Sequence, residues 1–506
     1  MYIQPNSTIE IMRGVPLNTR QIDTLYFDAG ETEQSAYFHN FVVYTFTKQY
    51  YQRVNKNTCR IEVNAENIYN CNYMRFKNEA FGSKWFYAFI TNVEYVNHNV
   101  SEVTYEIDVM QTWAFDYVLG ACYVEREHTS DDVWGKYLLP EPIDIGDYVC
   151  QSSVAGGYNE MAIVLVYLMP PSSPTPSTGR VVEGTFTGCS IMVQPLDHAS
   201  VIVSEINNIM QQTGGADAIS AIYLCPNKFQ ANATRTTPLE YEEKVLIPQT
   251  IGNYVPNNNK LLTYPYTFLN VDCLNDCQSY RFEYFYTDDA YVYFNVVGTI
   301  LGPPSIVCAP KNYEVNGEVN YTHQVIMGGY PQCSFNVESF NQWLANNSLY
   351  TSVGVIGKAA TIGIGLATEN YMMAAYGAVG LAQAGAEIVT ESQRSNTARG
   401  NVSNYTNVAN GSKDFYFKTM TLKYEKAKAV DEFFSRYGYT CEKVKVPNRN
   451  VRKRWTYTKT KGCIVKGNVP ADDLEKIGKI FDNGITFWNS STGTPGEYVM
   501  NDNAPV

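Results

Sequence analysis

Histidine is scarce in this chain, with five in 506 residues. His39, His98, His128, His198 and His323 stand far apart, with no HExxH and no second ligand at helical spacing, so each is read as a structural or surface residue. There is no GxSxG elbow and no P-loop, which leaves serine-hydrolase chemistry and nucleotide binding without support. Charge is also thin: charged residues make up 17% of the chain and the net charge is -12. That balance argues against tight electrostatic binding of nucleic acid, because phosphate neutralisation needs clustered Lys and Arg. It leaves room for a DNA conduit, whose wall should repel its cargo. The twelve cysteines are scattered, without the dense framework of small secreted domains, and are expected to be reduced, buried and small-apolar in role. Cys273 and Cys277 share a C-x-x-x-C spacing, but no matching pair completes a zinc site. The opening MYIQPNSTIEIMRG has no basic segment followed by an apolar one, so no secretory leader is read and assembly in a cytosol is expected. No catalytic, cofactor or metal residue is assigned, and the chain is read as a non-enzyme.

Two weaker features carry charge. Asp131 and Asp132, Glu242 and Glu243, and Asp288 and Asp289 are adjacent carboxylates, and adjacency says nothing about two carboxyls facing across a sugar. Arg449, Arg452, Lys453 and Arg454, followed by Trp455 and Tyr457, form a single basic cluster. Its plain reading is a charged turn; its sharper reading is a patch at a subunit joint or facing a lumen.

What the chain has in abundance is tyrosine, 40 residues, with 23 phenylalanines. These alternate with Thr, Val and Asn in short runs, a strand-rich composition. Successive strands are expected in FVVYTFTKQYY, CRIEVNAENI, KWFYAFITNVEYV, VTYEIDVMQTW and GACYVEREH. Alternation is clear where Val103, Tyr105, Ile107 and Val109 oppose Thr104, Glu106, Asp108 and Met110. Residues 1–150 are therefore read as an N-terminal β-rich domain, barrel or sandwich in type. Residues 151–340 are read as an inserted β-rich domain with a short helix near Ala199 to Gln212, and PPSSPTPSTGR as a loop. Residues 413–506 read β-α-β-β-α-β: strand Phe415 to Tyr424, helix Glu425 to Tyr437 ended by Gly438, strands at Thr440 to Val446 and at Arg454 to Thr458 or Cys463 to Lys466, a helix from Pro470 to Gly484, and ITFW. That order predicts a ferredoxin-like unit. The fold class is mainly β with an α+β C-terminal unit.

Between them, residues 341–412 contain a tract with only two charges, Lys358 and Glu369, from Thr351 to Ala386. Its apolar and small positions include Val353, Val355, Ile356, Ile362, Ile364, Leu366, Met372, Met373, Ala374, Ala378, Val379, Gly380, Leu381, Ala382 and Ala386. A bilayer core needs about 20 apolar residues in a helix, so length permits insertion. Alanines at 374, 378, 382 and 386 would give one helical face small enough for close helix approach. Glycines crowd the first half and weaken a helix there, and Glu369 and Asn370 interrupt the middle, which suits a re-entrant pair of segments. Three readings stand: a buried hairpin in an assembly, conditional membrane insertion, and a resident transmembrane helix.

Several stretches resemble the distal tail knob proteins of small protein-primed, short-tailed phages of the Picovirinae type. They are NYMRFKNEAFGSKWFYAFITNVEYV, VTYEIDVMQTWAFDY and VEREH near the N-terminus, and FFSRYGY, VKVPN, TKGCIVKG and DLEKIGKIFDNGITFW near the C-terminus. The middle, about 151 to 340, is not visibly similar. The resemblance implies β-barrel-like tube domains, a homo-hexameric tube at the virion's tail tip, contact with other tail proteins, and passage of phage DNA through the lumen without sequence-specific binding. It also implies that the apolar tract is a membrane-active loop that plugs the lumen and later forms a pore in the host cytoplasmic membrane. A purely structural tube with the tract permanently buried, and a receptor-binding or wall-degrading tip, are the alternatives.

Overall fold

The computed structural model describes residues 6–49, 57–79, 82–168, 180–182, 185–187, 189–211, 218–234, 239–273, 277–286, 290–300, 305–319, 323–328, 332–333, 398–399, 414–499 and 502–506. The chain is mainly β and divides into two units. The first comprises Met1–Gly146, Asn253–Leu262 and Lys423–Val506; the second comprises Asp147–Gly252 and Thr263–Leu422.

In the first unit the tyrosine-rich N-terminal runs become a six-stranded antiparallel sheet, ordered Val42–Gln49, Ser7–Met12, Tyr73–Asn78, Phe86–Asn97, Val100–Ile107 and Thr58–Ile61. Val103, Tyr105 and Ile107 face the core, as their alternation predicts. The alternation does not continue to Val109 and Met110. Buried Asp108 accepts hydrogen bonds from the backbone N–H groups of Met110 and Gln111, each 3.1 Å, and so caps a short helix, Val109–Thr112. CRIEVNAENI is likewise cut short: the strand ends at Ile61, and Asn64 caps a 3-10 turn at Ala65–Asn67.

The C-terminal elements fall close to their expected positions: strand Tyr416–Leu422, helix Tyr424–Tyr437, strands Tyr439–Lys445, Trp455–Lys461 and Val465–Gly467, helix Ala471–Asn483 and strand Ile485–Asn489. They do not assemble as a ferredoxin-like unit. Such a unit pairs its own four strands, whereas here Tyr416–Leu422 belongs to a sheet of the second unit. The remaining sheet is ordered Asp23–Tyr26, Ile485–Asn489, Trp455–Lys461, Cys122–Glu127 and Tyr439–Lys445. Asp23–Tyr26 lies parallel to Ile485–Asn489, and Cys122–Glu127 separates two C-terminal strands antiparallel to both. Two apolar cores confirm this mixing of chain ends. One joins Ile9, Ile11, Phe76 and Ile107 to Ile477, Phe481 and Phe487; the other joins Phe38, Tyr73 and Tyr87 to Trp455 and Trp488.

The second unit contains three larger sheets. Tyr148–Ala155, Tyr416–Leu422, Thr267–Asp272 and Cys277–Arg281 form one. Leu239–Leu246, Tyr291–Thr299, Ser305–Pro310 and Val325–Met327 form another, in which Val292, Phe294 and Val296 are buried at alternate positions. The third is ordered Cys189–Pro195, Met161–Leu168, Ile219–Pro226, Gln332–Cys333 and Ala398–Arg399. Its second strand, Met161–Leu168, is an unbroken apolar run buried from Met161 to Leu165. Helix Ala199–Met210 lies against it, burying Ala199, Ile202, Val203, Ile206 and Ile209 on one face.

Candidate functional site

The third sheet positions the base of the apolar segment. Ile222 and Tyr223 on the strand Ile219–Pro226 pair with Cys333 and Gln332, and these pair in turn with Ala398 and Arg399. The short strands Gln332–Cys333 and Ala398–Arg399 are therefore antiparallel neighbours in one sheet. Every residue assigned to the membrane-active tract, from Val353 to Ala386, falls between them in sequence and lies outside the described residues. Among the described residues, no helix is long and apolar enough to cross a membrane.

The basic cluster lies in the first unit and is held by partners that its sequence does not reveal. Lys453 and Arg454 both pair with Asp502, Lys453 Nζ at 2.9 Å and Arg454 Nε at 3.0 Å. The Asn503 side-chain carbonyl accepts from the backbone N–H groups of Arg454 and Trp455, at 2.9 and 3.1 Å. Arg449 sits 5.5 Å from the Tyr117 ring centre. Arg452 is buried and donates to the Thr129 hydroxyl at 3.3 Å; burial pushes its pKa down, and the charge of Asp132 opposes that shift. The cluster thus ties the C-terminal segment to the fold, and only Asp502 and Asn503, in the short NDNAPV run, could have signalled it.

Beside Arg452 is a cavity of about 260 Å³ whose walls include His128, Asp132, Asn258 and Asn503. His128 Nδ1 accepts from the Tyr457 N–H at 2.7 Å, and its Nε2 lies 3.1 Å from the Ser435 carbonyl. Burial, with Arg452 adding to it, lowers its pKa to about 3. The ring is therefore neutral at pH 7 and fully engaged by the backbone, which is a structural role.

The carboxylate pairs do not converge. Asp131 binds Lys136 and Tyr137, whereas Asp132 accepts from the Tyr439 hydroxyl and the Asn259 backbone. Glu242 pairs with Lys311, and Glu243 with Lys228 and Tyr158. Asp288 and Asp289 lie outside the described residues. Cys273 is buried and donates to the Ile326 carbonyl, while Cys277 is exposed. Among the described residues, no group of three or more His, Cys, Asp or Glu is placed to hold a metal.

A family model described as the C-terminal domain of tail knob protein gp9 of Bacillus phage phi29 matches residues 227–504, more than half of the chain. A second, the N-terminus of the caudoviral major tail protein, matches residues 5–118. Among curated relatives, tail knob protein gp9 of Bacillus phage B103 is 24% identical over 98% of both chains, and that of Bacillus phage phi29 is 22% identical over 96% of both. The solved tail knob protein gp12 of bacteriophage C1 superposes with a TM-score of 0.68 at 13% identity, covering 99% of this chain and 100% of that one, so the fold is shared. The chain belongs to the tail knob protein family represented by gp9 of phage phi29, whose members are components of the distal tail of the virion.

Proposed function

We propose that the chain forms, as a homo-oligomer, the tube at the tail tip through which the phage genome leaves, and that the segment from Thr351 to Ala386 plugs the lumen and then inserts in the host cytoplasmic membrane as a pore. The observation that carries this reading is the tract itself, with two charges between Thr351 and Ala386 in a chain of this family. The pairing of Cys333 with Ala398, the described residues that flank this stretch of sequence, supports it: a segment whose two flanks are held in one sheet can change what it contacts without altering the fold that carries it. The energetics run in the same direction. Apolar surface costs about 25 cal/mol per Å² in water, so copies of the tract are stable against one another in a lumen or in lipid, and unstable free in solvent. The acidic balance of the chain favours passage of DNA over retention.

The test is dye release from vesicles of anionic and zwitterionic phospholipid by the full chain, at neutral and mildly acidic pH. Release is expected, and Ala378→Glu or Gly380→Asp should reduce it, since a charge at mid-membrane costs about 3 kcal/mol or more per helix. No release by the unaltered chain under either condition would leave a structural tube with a permanently buried tract.

A further inference from the structure

In the first unit, helix Glu31–His39 and the strands Tyr73–Asn78 and Phe86–Asn97 border a cavity of about 570 Å³. Glu31, Ser35 and His39 line it from the helix, at the four-residue spacing that puts them on one face. The helix is pinned in place. Buried Gln34 donates through Nε2 to the Gln111 backbone carbonyl and side-chain oxygen, at 2.8 and 3.0 Å, and Arg75 Nη1 donates to the Ser35 carbonyl at 3.0 Å. Trp85 also lines the cavity. The Arg75 guanidinium stands 4.2 Å and Lys77 Nζ 4.7 Å from its ring centre, so two cations fix the indole while part of it stays exposed. Phe115, 41% exposed, lines both this cavity and a second one of about 210 Å³, so the two adjoin at its ring.

The Lys and Arg charges in the wall of the larger cavity are already matched. Arg75 Nε pairs with Glu10 at 2.6 Å, and Lys84 pairs with Asp116. Among the described residues, the exposed side chains of Glu31, Thr32 and His39 make no hydrogen bond or ion pair. The cavity therefore offers an aromatic surface, a carboxylate acceptor and neutral polar groups. A ligand bearing phosphate or sulfate is repelled by Glu31 and finds no free Lys or Arg in the wall to hold it. A wholly apolar ligand strips water from these polar groups and gives them no partner. A sugar ring meets both demands: its C–H face packs on an aromatic ring, and its hydroxyls donate to a carboxylate and pair with neutral polar groups. We propose that the cavity binds neutral pyranose units of a polysaccharide, stacked on Trp85 and hydrogen-bonded by Glu31 and Thr32, with the next unit of the chain crossing Phe115. On the distal tail, where members of the family sit, such a site holds the virion against a surface glycan. This binding is independent of the role proposed for Thr351 to Ala386.

The full chain is applied to an array that pairs neutral oligosaccharides with their sulfated and phosphorylated forms, and the strongest ligand is then titrated by calorimetry. Neutral glycans should bind, more tightly than their anionic forms, and a trisaccharide should bind more tightly than its monosaccharide because a second cavity adjoins the first. Glu31→Gln alters a side chain with no protein partner, so the melting temperature should stay nearly unchanged while affinity falls about tenfold. Trp85→Ala should abolish measurable binding, and Trp85→Phe, which keeps an aromatic face, should restore part of it. Asp502→Ala, outside the cavity wall, should bind as the unaltered chain does. Failure of every neutral glycan to bind, tighter binding of the anionic forms, or full affinity in both Glu31→Gln and Trp85→Ala would overturn the proposal.

Discussion

Two sheets, one from each unit, are closed in opposite ways. In the second, the sheet of Leu239–Leu246, Tyr291–Thr299, Ser305–Pro310 and Val325–Met327 takes its strands in sequence order, most of them from nearby turns. In the first, Asp23–Tyr26 and Cys122–Glu127 are strands of the same sheet as Trp455–Lys461 and Ile485–Asn489. Long-range pairing of this kind carries a larger loop-closure cost, which a dense core and specific polar contacts must offset. The first unit contains both. The Trp455 and Trp488 rings are 5.4 Å apart and fully buried, and Trp113 Nε1 donates to Asp473 at 2.9 Å across some 360 residues of sequence. The lesson is that the ends of the chain fold as one body, so changes at their crossings should be severe and changes in the local hairpins mild.

The largest effect is expected at Gly438. Its φ is 67°, and an added Cβ would stand 2.1 Å from the Glu127 carbonyl oxygen, on the neighbouring strand. Gly438→Val should abolish folding of the first unit, read as loss of soluble protein and of near-UV dichroism. Gly14→Ala, at φ 74° with nothing within 4 Å, should cost only about 1 kcal/mol. Equal tolerance of both would break the comparison. Next comes Lys260, whose ammonium is 2.5 Å from Glu141 with both side chains almost wholly buried. Arg126 also pairs with Glu141, and the combined cations hold that carboxyl below its usual range although burial opposes them. Lys260→Met should cost about 2–4 kcal/mol, since it strips one partner from a buried charge. Lys311→Ala, which breaks an exposed pair with Glu242 across the sequentially ordered sheet of the second unit, should cost less than about 1 kcal/mol by denaturant titration.

Periodicity revealed elements but not partners. Helix Tyr424–Tyr437 was legible from Ala429, Val430, Phe433 and Phe434 before Gly438, although the buried face is Ala427, Val430 and Phe434 and Ala429 is exposed, and helix Ala471–Asn483 was legible from Leu474, Ile477 and Phe481 before Gly484. The ferredoxin-like expectation failed because β-α-β-β-α-β order fixes neither pairing nor neighbours. Cys122–Glu127 outcompetes any C-terminal strand for the place between Trp455–Lys461 and Tyr439–Lys445, and nothing local to either segment encodes that. Asp108 was misread for a related reason: its alternation is that of a strand, but a buried carboxylate facing two free backbone N–H groups ends one. The basic cluster was legible as charge and illegible as a contact, because Asp502 lies some 50 residues away. The tract from Thr351 to Ala386 was legible by composition alone, and its anchorage at Cys333 and Ala398 was not.

Asp108 also gives the first unit a pH signature of intermediate size. Burial raises its pKa to about 6, against hydrogen bonds from Tyr73 and from the Gln111 and Met110 backbones. The folded state therefore binds the proton more tightly than the unfolded state, so this group contributes most below about pH 4, and its contribution is lost as pH rises through 6. His128 has the opposite sign. With a pKa of about 3 in the fold, it stays neutral while the unfolded chain protonates, and stability is lost as pH falls from 6.5 toward 3. Asp108→Asn keeps a capping carbonyl and removes only the first term. Relative to the unaltered chain it should gain about 2–3 kcal/mol on moving from pH 4 to pH 7, measured by urea unfolding at each pH. A difference independent of pH would mean that Asp108 is solvated.

The smallest effect is expected at Asp502, where Lys453 and Arg454 meet on the surface of the same unit. Both cations keep substantial solvent exposure, so the Coulomb gain is screened and the side chains lose freedom in making it. The Asn503 side chain, in contrast, satisfies two backbone N–H groups and donates to the Trp455 carbonyl at 3.0 Å. If the C-terminal segment is held by this amide rather than by charge, Asp502→Ala should leave the melting temperature nearly unchanged and its small effect should vanish in high salt. Asn503→Ala should lower the melting temperature more, at any salt concentration, because it leaves peptide groups beside a buried tryptophan without partners. The reverse order would make the basic cluster, and not the amide, the anchor of the C-terminal segment.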